Sequence, residues 1–381
     1  METAETARMS TVELRDELGR ILRDPGRVSD GDSERELHAG DISFHRPHRP
    51  DLVVYATSTA DVVAVLTLAD RDRIPVTPFA AGSSLEGHVI PVAGGRVVRA
   101  GSRAPKTSAG YDLLGLMIGS EGTLGVITEL TLRLHGIPEQ AVVLRLSFPD
   151  VESACRAATA IVAAGAGVTR AELLDGWTIA AINDHQGTDL PVGASLFVEA
   201  SGSEGTVTSD LELVTQIAES EGALDVVAER DPTARTRLWA ARHAAAYAVA
   251  AAAPGMLHRS TDICVPLSEL AGAVSFARRE LDRRGLVAGI VGHAGDGNVH
   301  LALMVDPDDP DSVRVSDELI EALVEDALAR GGTCTGEHGV GIGKIGSLER
   351  EHGDLLPLMR GIKAVFDPNG IMNPGKVLTR G

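Results

Sequence analysis

The sequence predicts an α+β protein built from two domains. Three observations lead there. The chain has 381 residues, more than a single small core requires. Short apolar or alternating runs trade places with stretches of helical spacing along most of its length. The break "GIPE" at 136–139 separates two such series.

The elements follow in order. Ser10 opens "STVE", a capping-box pattern, so a helix is expected to about Arg23. "DLVVYA" at 51–56 reads as a buried strand. Ser58 or Thr59 then caps a helix through "ADVVAVLTLADRDR", and "IPVTPF" reads as a second short strand, which together make a β-α-β unit. A small-residue loop, "AAGSSLEGH", follows. Val126 to Leu134 alternates like a strand. Past 139, "AVVLRLSF" (strand), 151–165 (helix), "LFVEASG" (strand) and 206–221 (helix) suggest helices on one face of a sheet. An Ala-rich helix is expected over 231–252. Another is expected near 314–330, and a Gly-rich turn leads into 341–365.

Composition narrows the function. The formal net charge of -19 argues against a nucleic-acid partner, which needs a basic footprint. Aromatic residues are 3%, too few for base-stacking platforms. The 3 cysteines, Cys155, Cys264 and Cys334, are odd in number and far apart, as expected of reduced thiols in a cytoplasmic protein. The N-terminal stretch is charged and has no apolar heart, unlike a secretory signal. "HAAAYAVAAAAPG" is shorter than the ~20 residues of a membrane span and reads as a buried helix.

"VGHAGDGNVH", 291–300, carries the first chemical signal. "AGIVGHA" and "NVHLALMV" read as strands, and Asp296-Gly297 is a strong two-residue hairpin signal. With those two residues as the turn, His293 faces His300. Opposed side chains share a face with Cβ atoms about 5 Å apart. Two imidazoles so placed can share one metal at about 2.1 Å each. "GGTCTGEHGVGIGK", 331–344, sets Glu337 and His338 side by side in a glycine-rich loop. Glu337 is a candidate third ligand, and two histidines with one carboxylate leave open positions for a substrate oxygen. An adjacent acid and imidazole can also divide the work, one holding metal and one moving a proton. Cys334 is a weaker rival ligand.

These residues resemble a family. "GHAGDGNVH", "GEHGVG" and "FDPNGIMNPGKV" are similar to signatures of the FAD-linked D-2-hydroxyacid dehydrogenases of the vanillyl-alcohol-oxidase fold. That group includes cytochrome-type D-lactate dehydrogenase, the glycolate oxidase flavin subunit and D-2-hydroxyglutarate dehydrogenase. "PVTPFAAGSSLEGHVIPV" and "GSEGTLGVITELTLRL" resemble its FAD-binding segments, and the likeness runs from about residue 40 to the end. The resemblance implies a PCMH-type FAD-binding α+β domain over 1–139. It implies a ferredoxin-like α+β substrate or cap domain over 140–381, with a helical C-terminal segment in which 341–381 returns to the FAD domain.

The resemblance also implies roles. His293, His300 and Glu337 match ligands of a divalent metal (zinc, manganese or iron), and His338 matches the general base. Arg242, in "LWAARH", matches an arginine that grips the substrate carboxylate, as a guanidinium fork can. Ala80, Ala81, Gly82, Ser83 and Ser84 match the loop that cradles the flavin pyrophosphate, where backbone N–H groups approach closely. Gly122, Gly125, Ile127 and Asn373 match further flavin contacts. The implied reaction is metal-assisted oxidation of a small D-2-hydroxy acid with hydride passing to FAD. "TDICVP" at 261–266 resembles the lactate and glycolate members. Implied partners are an electron acceptor (a quinone, a cytochrome or an electron-transfer protein), a second copy in a homodimer, and peripheral contact with the inner membrane.

One departure stands out. After "VIPVAGG" the family continues through several more strands and a Gly/Ala/Asn-rich stretch lying against the flavin. Here "PVAGG" runs straight into "RVVRAGSRAPKTSAGYDL", as if a segment were deleted near Gly94–Arg96. Such a loss exposes strand edges and apolar faces and removes backbone donors to the flavin. The expectation is therefore a truncated FAD domain with weakened or absent flavin binding. The alternatives are a flavin-deficient remnant that binds metal or hydroxy acid, and a metal-dependent hydrolase using His293, His300 and Glu337.

Overall fold

The computed structural model describes residues 9–80 and 98–379. It consists of two compact units, Met1–Leu134 with His338–Gly381, and His135–Glu337.

The first unit opens with α1 (Thr11–Ile21), β1 (Val28–Ser29), α2 (Asp32–Leu37), β2 (Val53–Val54), α3 (Thr59–Asp72) and α4 (Leu113–Met117). The capping box is present. Glu13 N–H donates to Ser10 Oγ, and the Glu13 carboxylate takes the Ser10 N–H. Ser58 caps α3 by accepting the Asp61 N–H. Leu18, Leu22, Val28, Val65 and Leu68 close a small core between α1, β1 and α3.

Two strand expectations fail in this unit. "IPVTPF" forms no strand. It contributes only an isolated parallel bridge from Val76 to Met372, because Pro75 and Pro78 lack the N–H groups a ladder needs. β2 keeps two residues of the expected 51–56 strand and pairs antiparallel with β1, so no β-α-β unit is made. The alternating stretch 126–134 is also irregular. Its apolar residues face water: Leu130 is 68% and Leu134 89% exposed. Among the described residues it finds no sheet to join, and alternation without a neighbouring edge does not make a strand. The junction at Gly94–Arg96 lies outside the described residues.

The second unit is one sheet with helices. In chain order it runs β3 (Gln140–Phe148), α5 (Val151–Ala163), β4 (Val168–Leu174), α6 (Gly176–Gln186), β5 (Ala194–Gly202), α7 (Glu204–Ser220), β6 (Asp225–Glu229), α8 (Pro232–His243), α9 (Ala245–Ala252), β7 (Leu257–Ser260), β8 (Ile263–Cys264), α10 (Leu270–Arg284), β9 (Ala288–His293), β10 (Asn298–Val305) and α11 (Pro310–Ala329). The sheet order is β6-β3-β5-β4-β9-β10-β7, with β8 also on β10. Every pairing is antiparallel. β4, α6, β6, β7, β8 and α10 add to the elements expected from the sequence. The Ala-rich helix is broken at Ala244 into α8 and α9.

Helices cover both faces, not one. Ile179 and Ile182 of α6, Trp239 of α8 and Ala248 of α9 pack on Val143, Leu174 and Phe197. The alternate residues Leu144, Leu146, Leu196 and Val198 point the other way and are at most 2% exposed. α5 and α7 cover that face, both lying against β3 and β5. β10, contacted by α9 and α11, is buried along its whole length and so gave no two-faced pattern.

The chain ends in the first unit with α12 (Ile345–His352) and α13 (Leu356–Phe366). Val340, Leu348 and Leu356 share a small core, and Ile371 packs on Ala69 of α3.

Candidate metal and carboxylate site

The hairpin expected at 291–300 is present with a different register. His293 faces Asn298, and His300 faces Val291. The connection is the four-residue loop Ala294–Gly297. A type I′ turn needs two residues at positive φ, and only Gly297 takes one (77°). The Asp296 N–H instead donates to the His293 carbonyl at 3.0 Å, as in a type I turn. The slip is two residues. A one-residue slip would have thrown the histidines to opposite faces, whereas two keeps them on one. They sit diagonally, ring centroids 5.4 Å apart and planes at 83°.

Glu337 completes the set. Its Oε1 lies 3.2 Å from His293 Nε2 and 3.2 Å from His300 Nε2. The three donor atoms all fall within 4.8 Å of one another. The outer nitrogens orient both rings in the way a metal at this set would need. His300 Nδ1 is 2.9 Å from the Thr261 carbonyl, and His293 Nδ1 is 2.9 Å from Glu172 Oε1. A carbonyl only accepts and an ionised carboxylate only accepts, so both Nδ1 atoms carry hydrogen. That leaves the Nε2 atoms, both turned toward Glu337 Oε1, as the pair that a metal would take from neutral rings. The hydrogen bond to Glu172 holds the His293 pKa above its ordinary value, against the opposing effect of burial. Burial pushes Glu172 up, but the His293 hydrogen bond and the Arg242 charge outweigh it and leave its pKa below the usual carboxylate range.

A buried carboxylate sets where Glu337 stands. Asp262, 1% exposed, accepts the Glu337 N–H at 3.0 Å and the Thr335 hydroxyl at 2.7 Å on Oδ2. Its Oδ1 accepts Asn298 Nδ2 at 2.8 Å. The loop carrying Glu337 is thereby tied to the strand carrying His300. Gly336 is required at this seam, since a Cβ there would lie 2.2 Å from Asn298 Nδ2. Cys334 is buried at 1% and does not join the ligand cluster.

Arg242 lies on α8 with its side chain 14% exposed. Its Nε and Nη2 donate to Glu172 Oε2 at 3.1 and 2.7 Å. Glu172 sits on β4, in register with Phe197 and His293, so one carboxylate reaches both His293 and Arg242. The sequence reading missed Glu172 and the positioning role of Asp262. Glu172 is 121 residues from His293 and no motif spacing links them.

The residues that the resemblance matched to flavin contacts lie, where described, in the first unit. Gly122 takes φ of 69° in a turn beside Glu121. The Glu121 carboxylate accepts the N–H groups of Val340 and Gly341 at 2.7 and 2.8 Å. Asn373, 1% exposed, donates from Nδ2 to the Glu121 carbonyl at 2.7 Å. The structure thus brings Gly122 and Asn373 together. Gly125 follows at the end of the same turn. Ile127 stands apart from them, 54% exposed in the irregular segment. Ala80 is exposed at the edge of the described residues, and Ala81, Gly82, Ser83 and Ser84 lie outside them. Among the described residues this turn is fixed by Glu121 and Asn373 and carries no regular strand. His338 follows Glu337 directly and opens the second stretch of the first unit.

Comparison with known proteins agrees with this architecture. Residues 137–377 match the FAD linked oxidase C-terminal domain, and residues 50–106 match an FAD binding domain. The chain belongs to the FAD-linked oxidase family. The 4-ethylphenol oxidase of Gulosibacter chungangensis shares the fold, with a TM-score of 0.72 at 13% identity over 99% of this chain and 98% of that one.

Within the family the chain is an oxidoreductase of the D-lactate dehydrogenase and glycolate oxidase type. It is 46% identical over 285 residues to the mitochondrial cytochrome-type D-lactate dehydrogenase of Arabidopsis thaliana, covering 74% of this chain and 50% of that protein. It is 34% identical to a probable mitochondrial D-lactate dehydrogenase of Danio rerio, over 92% of this chain and 89% of that one. It is 37% identical to glycolate oxidase subunit GlcD of Escherichia coli, over 71% of this chain and 54% of that one. The chain therefore spans about half the length of two of these relatives. The alignment with the Danio protein runs over 441 positions, more than the 381 residues of this chain, so part of that relative has no counterpart here. No helix among the described residues is long and apolar enough to cross a membrane.

Proposed function

We propose that this chain oxidises a small D-2-hydroxy acid, D-lactate or a glycolate-like compound, to the 2-oxo acid. The observation that carries the reading is the convergence of His293 Nε2, His300 Nε2 and Glu337 Oε1 on one point, with Arg242 linked to His293 through Glu172. The Thr261 carbonyl and Glu172 orient the two imidazoles. Asp262 fixes the loop of Glu337. Arg242 keeps guanidinium N–H groups beyond those given to Glu172, and these bind the substrate carboxylate. His338 takes the proton of the 2-hydroxyl group. A divalent ion held by His293, His300 and Glu337 supplies Lewis acidity at that hydroxyl. FAD supplies the hydride acceptor. The acceptor beyond the flavin is a quinone, a cytochrome or an electron-transfer protein.

The test is spectroscopic. Protein reconstituted with FAD and supplied with Mn2+ should lose flavin absorbance when D-lactate is added, and L-lactate should leave it unchanged. Flavin that stays oxidised with every D-2-hydroxy acid tried contradicts the proposal.

A second reading has its own support. The segment missing relative to the Danio protein and the exposed stretch 126–134 favour a chain that keeps the metal and carboxylate half-site but lacks flavin. A colourless protein that cannot be reconstituted, yet binds D-lactate with metal, would establish it.

A further inference from the structure

We propose that Glu172 is the positioning residue that holds the metal arm and the carboxylate-binding arm of the site in one geometry. The inference rests on the function proposed above and goes beyond its ligand set.

The two oxygens of Glu172 are divided. Oε1 takes His293 Nδ1 at 2.9 Å, and Oε2 takes both Nε and Nη2 of Arg242 at 3.1 and 2.7 Å. The side chain is 13% exposed, so water competes little for either oxygen. The backbone beneath it is held on both sides, because β4 lies between β5 and β9. His300, the other imidazole, is oriented by a neutral carbonyl. His300 Nδ1 also lies 3.7 Å from Asp262 Oδ1, but the carboxylate shared with the arginine of the site is Glu172, on the His293 side.

The helix that carries Arg242 is docked by a second, separate contact. Trp239, one turn earlier on α8, donates from Nε1 to Glu199 Oε2 at 2.8 Å and packs edge-on to Phe197. Glu199 stands on the neighbouring strand β5. α8 would therefore stay on the sheet without Glu172. What Glu172 adds is the aim of the guanidinium and of the imidazole, both fixed by one group. Changing it should disturb two binding steps at once, whereas changing Arg242 should disturb one.

A glutamine at this position tests the idea at nearly constant size. Its carbonyl can still accept from His293, but its amide then turns N–H groups toward Arg242. The measurements are calorimetric titrations of the metal-free full chain with Mn2+, and of the Mn2+-saturated chain with D-lactate. Glu172→Gln is expected to weaken both affinities, each by about 10-fold, the lower end for lost outer-shell partners. Arg242→Met is expected to weaken D-lactate alone. Glu199→Gln, which perturbs helix docking outside the site, is expected to change neither. Loss of only one affinity in Glu172→Gln, or of none, overturns the proposal. So does a matching double loss in Glu199→Gln, which would reduce Glu172 to a dock for α8. Wild-type protein that binds Mn2+ but no D-lactate speaks against the proposed function, and Glu172→Gln then tests the metal arm alone.

Discussion

His293 and His300 stand diagonally across one hairpin, on one sheet face, with Glu337 Oε1 3.2 Å from the Nε2 of each. The geometry depends on Gly297. A Cβ there would lie 2.1 Å from the Val265 carbonyl, and the φ of 77° is already unfavourable for any side chain. Gly297→Ala should therefore destabilise the second unit by roughly 1–3 kcal/mol and weaken Mn2+ binding. Denaturant unfolding together with metal titration checks this. Unchanged stability would mean the loop is not held as described.

Asp262 gives a separate prediction on the Glu337 side. Asn at this position turns an amide donor toward a site filled by the Glu337 N–H, the Thr335 hydroxyl or Asn298 Nδ2. At least one buried donor then loses its acceptor, at a cost of about 1–3 kcal/mol. Asp262→Asn should lower the thermal midpoint and weaken Mn2+ binding. A variant with wild-type metal affinity would show that Glu337 finds its place without this clamp.

The irregular stretch before β3 should be the first site of proteolysis. Residues 125–138 carry no regular structure, and Ile137 is 97% exposed. Brief trypsin treatment should cut after Arg133, measured by mass spectrometry of the fragments. Survival of Arg133 while Arg156 in α5 or Arg279 in α10 is cut would contradict the exposure described here.

Acid should weaken the first unit through Asp61. Its carboxylate accepts Arg27 Nη2 at 2.6 Å and the Thr57 N–H at 2.9 Å, and chiefly the Arg27 hydrogen bond holds its pKa well below the usual range. A depressed carboxylate pKa stabilises the fold above the unfolded value of about 3.9 and loses that effect as pH falls toward the folded value. Asp61→Asn should thus be less stable than wild type at pH 6, with the gap closing at more acid pH. Circular dichroism melts across that range read it. A gap that stays constant with pH would rule out the ionised carboxylate as the cause.

Much of this was legible in the sequence, and the failures have identifiable causes. The capping box at Ser10 and the strands flanking "GHAGDGN" depend on local chemistry and appear as expected. The hairpin register did not, because it turned on which single residue would adopt positive φ. The histidines still share a face because the slip was even. The stretch 126–134 has the alternation of a strand and lacks a partner, a fact no local pattern contains. Glu172 was invisible because its two partners lie 70 and 121 residues away, joined only by the pairing of β4 with β9 and the docking of α8.

The central proposal is that the second unit holds a half-site for a metal and a hydroxy acid. Calorimetric titration of D-lactate into the metal-free and the Mn2+-saturated full chain tests it most directly. The account predicts binding heat only with Mn2+, lost in Arg242→Met and in Glu337→Gln. Equal heat without metal, or no heat under either condition, would contradict it.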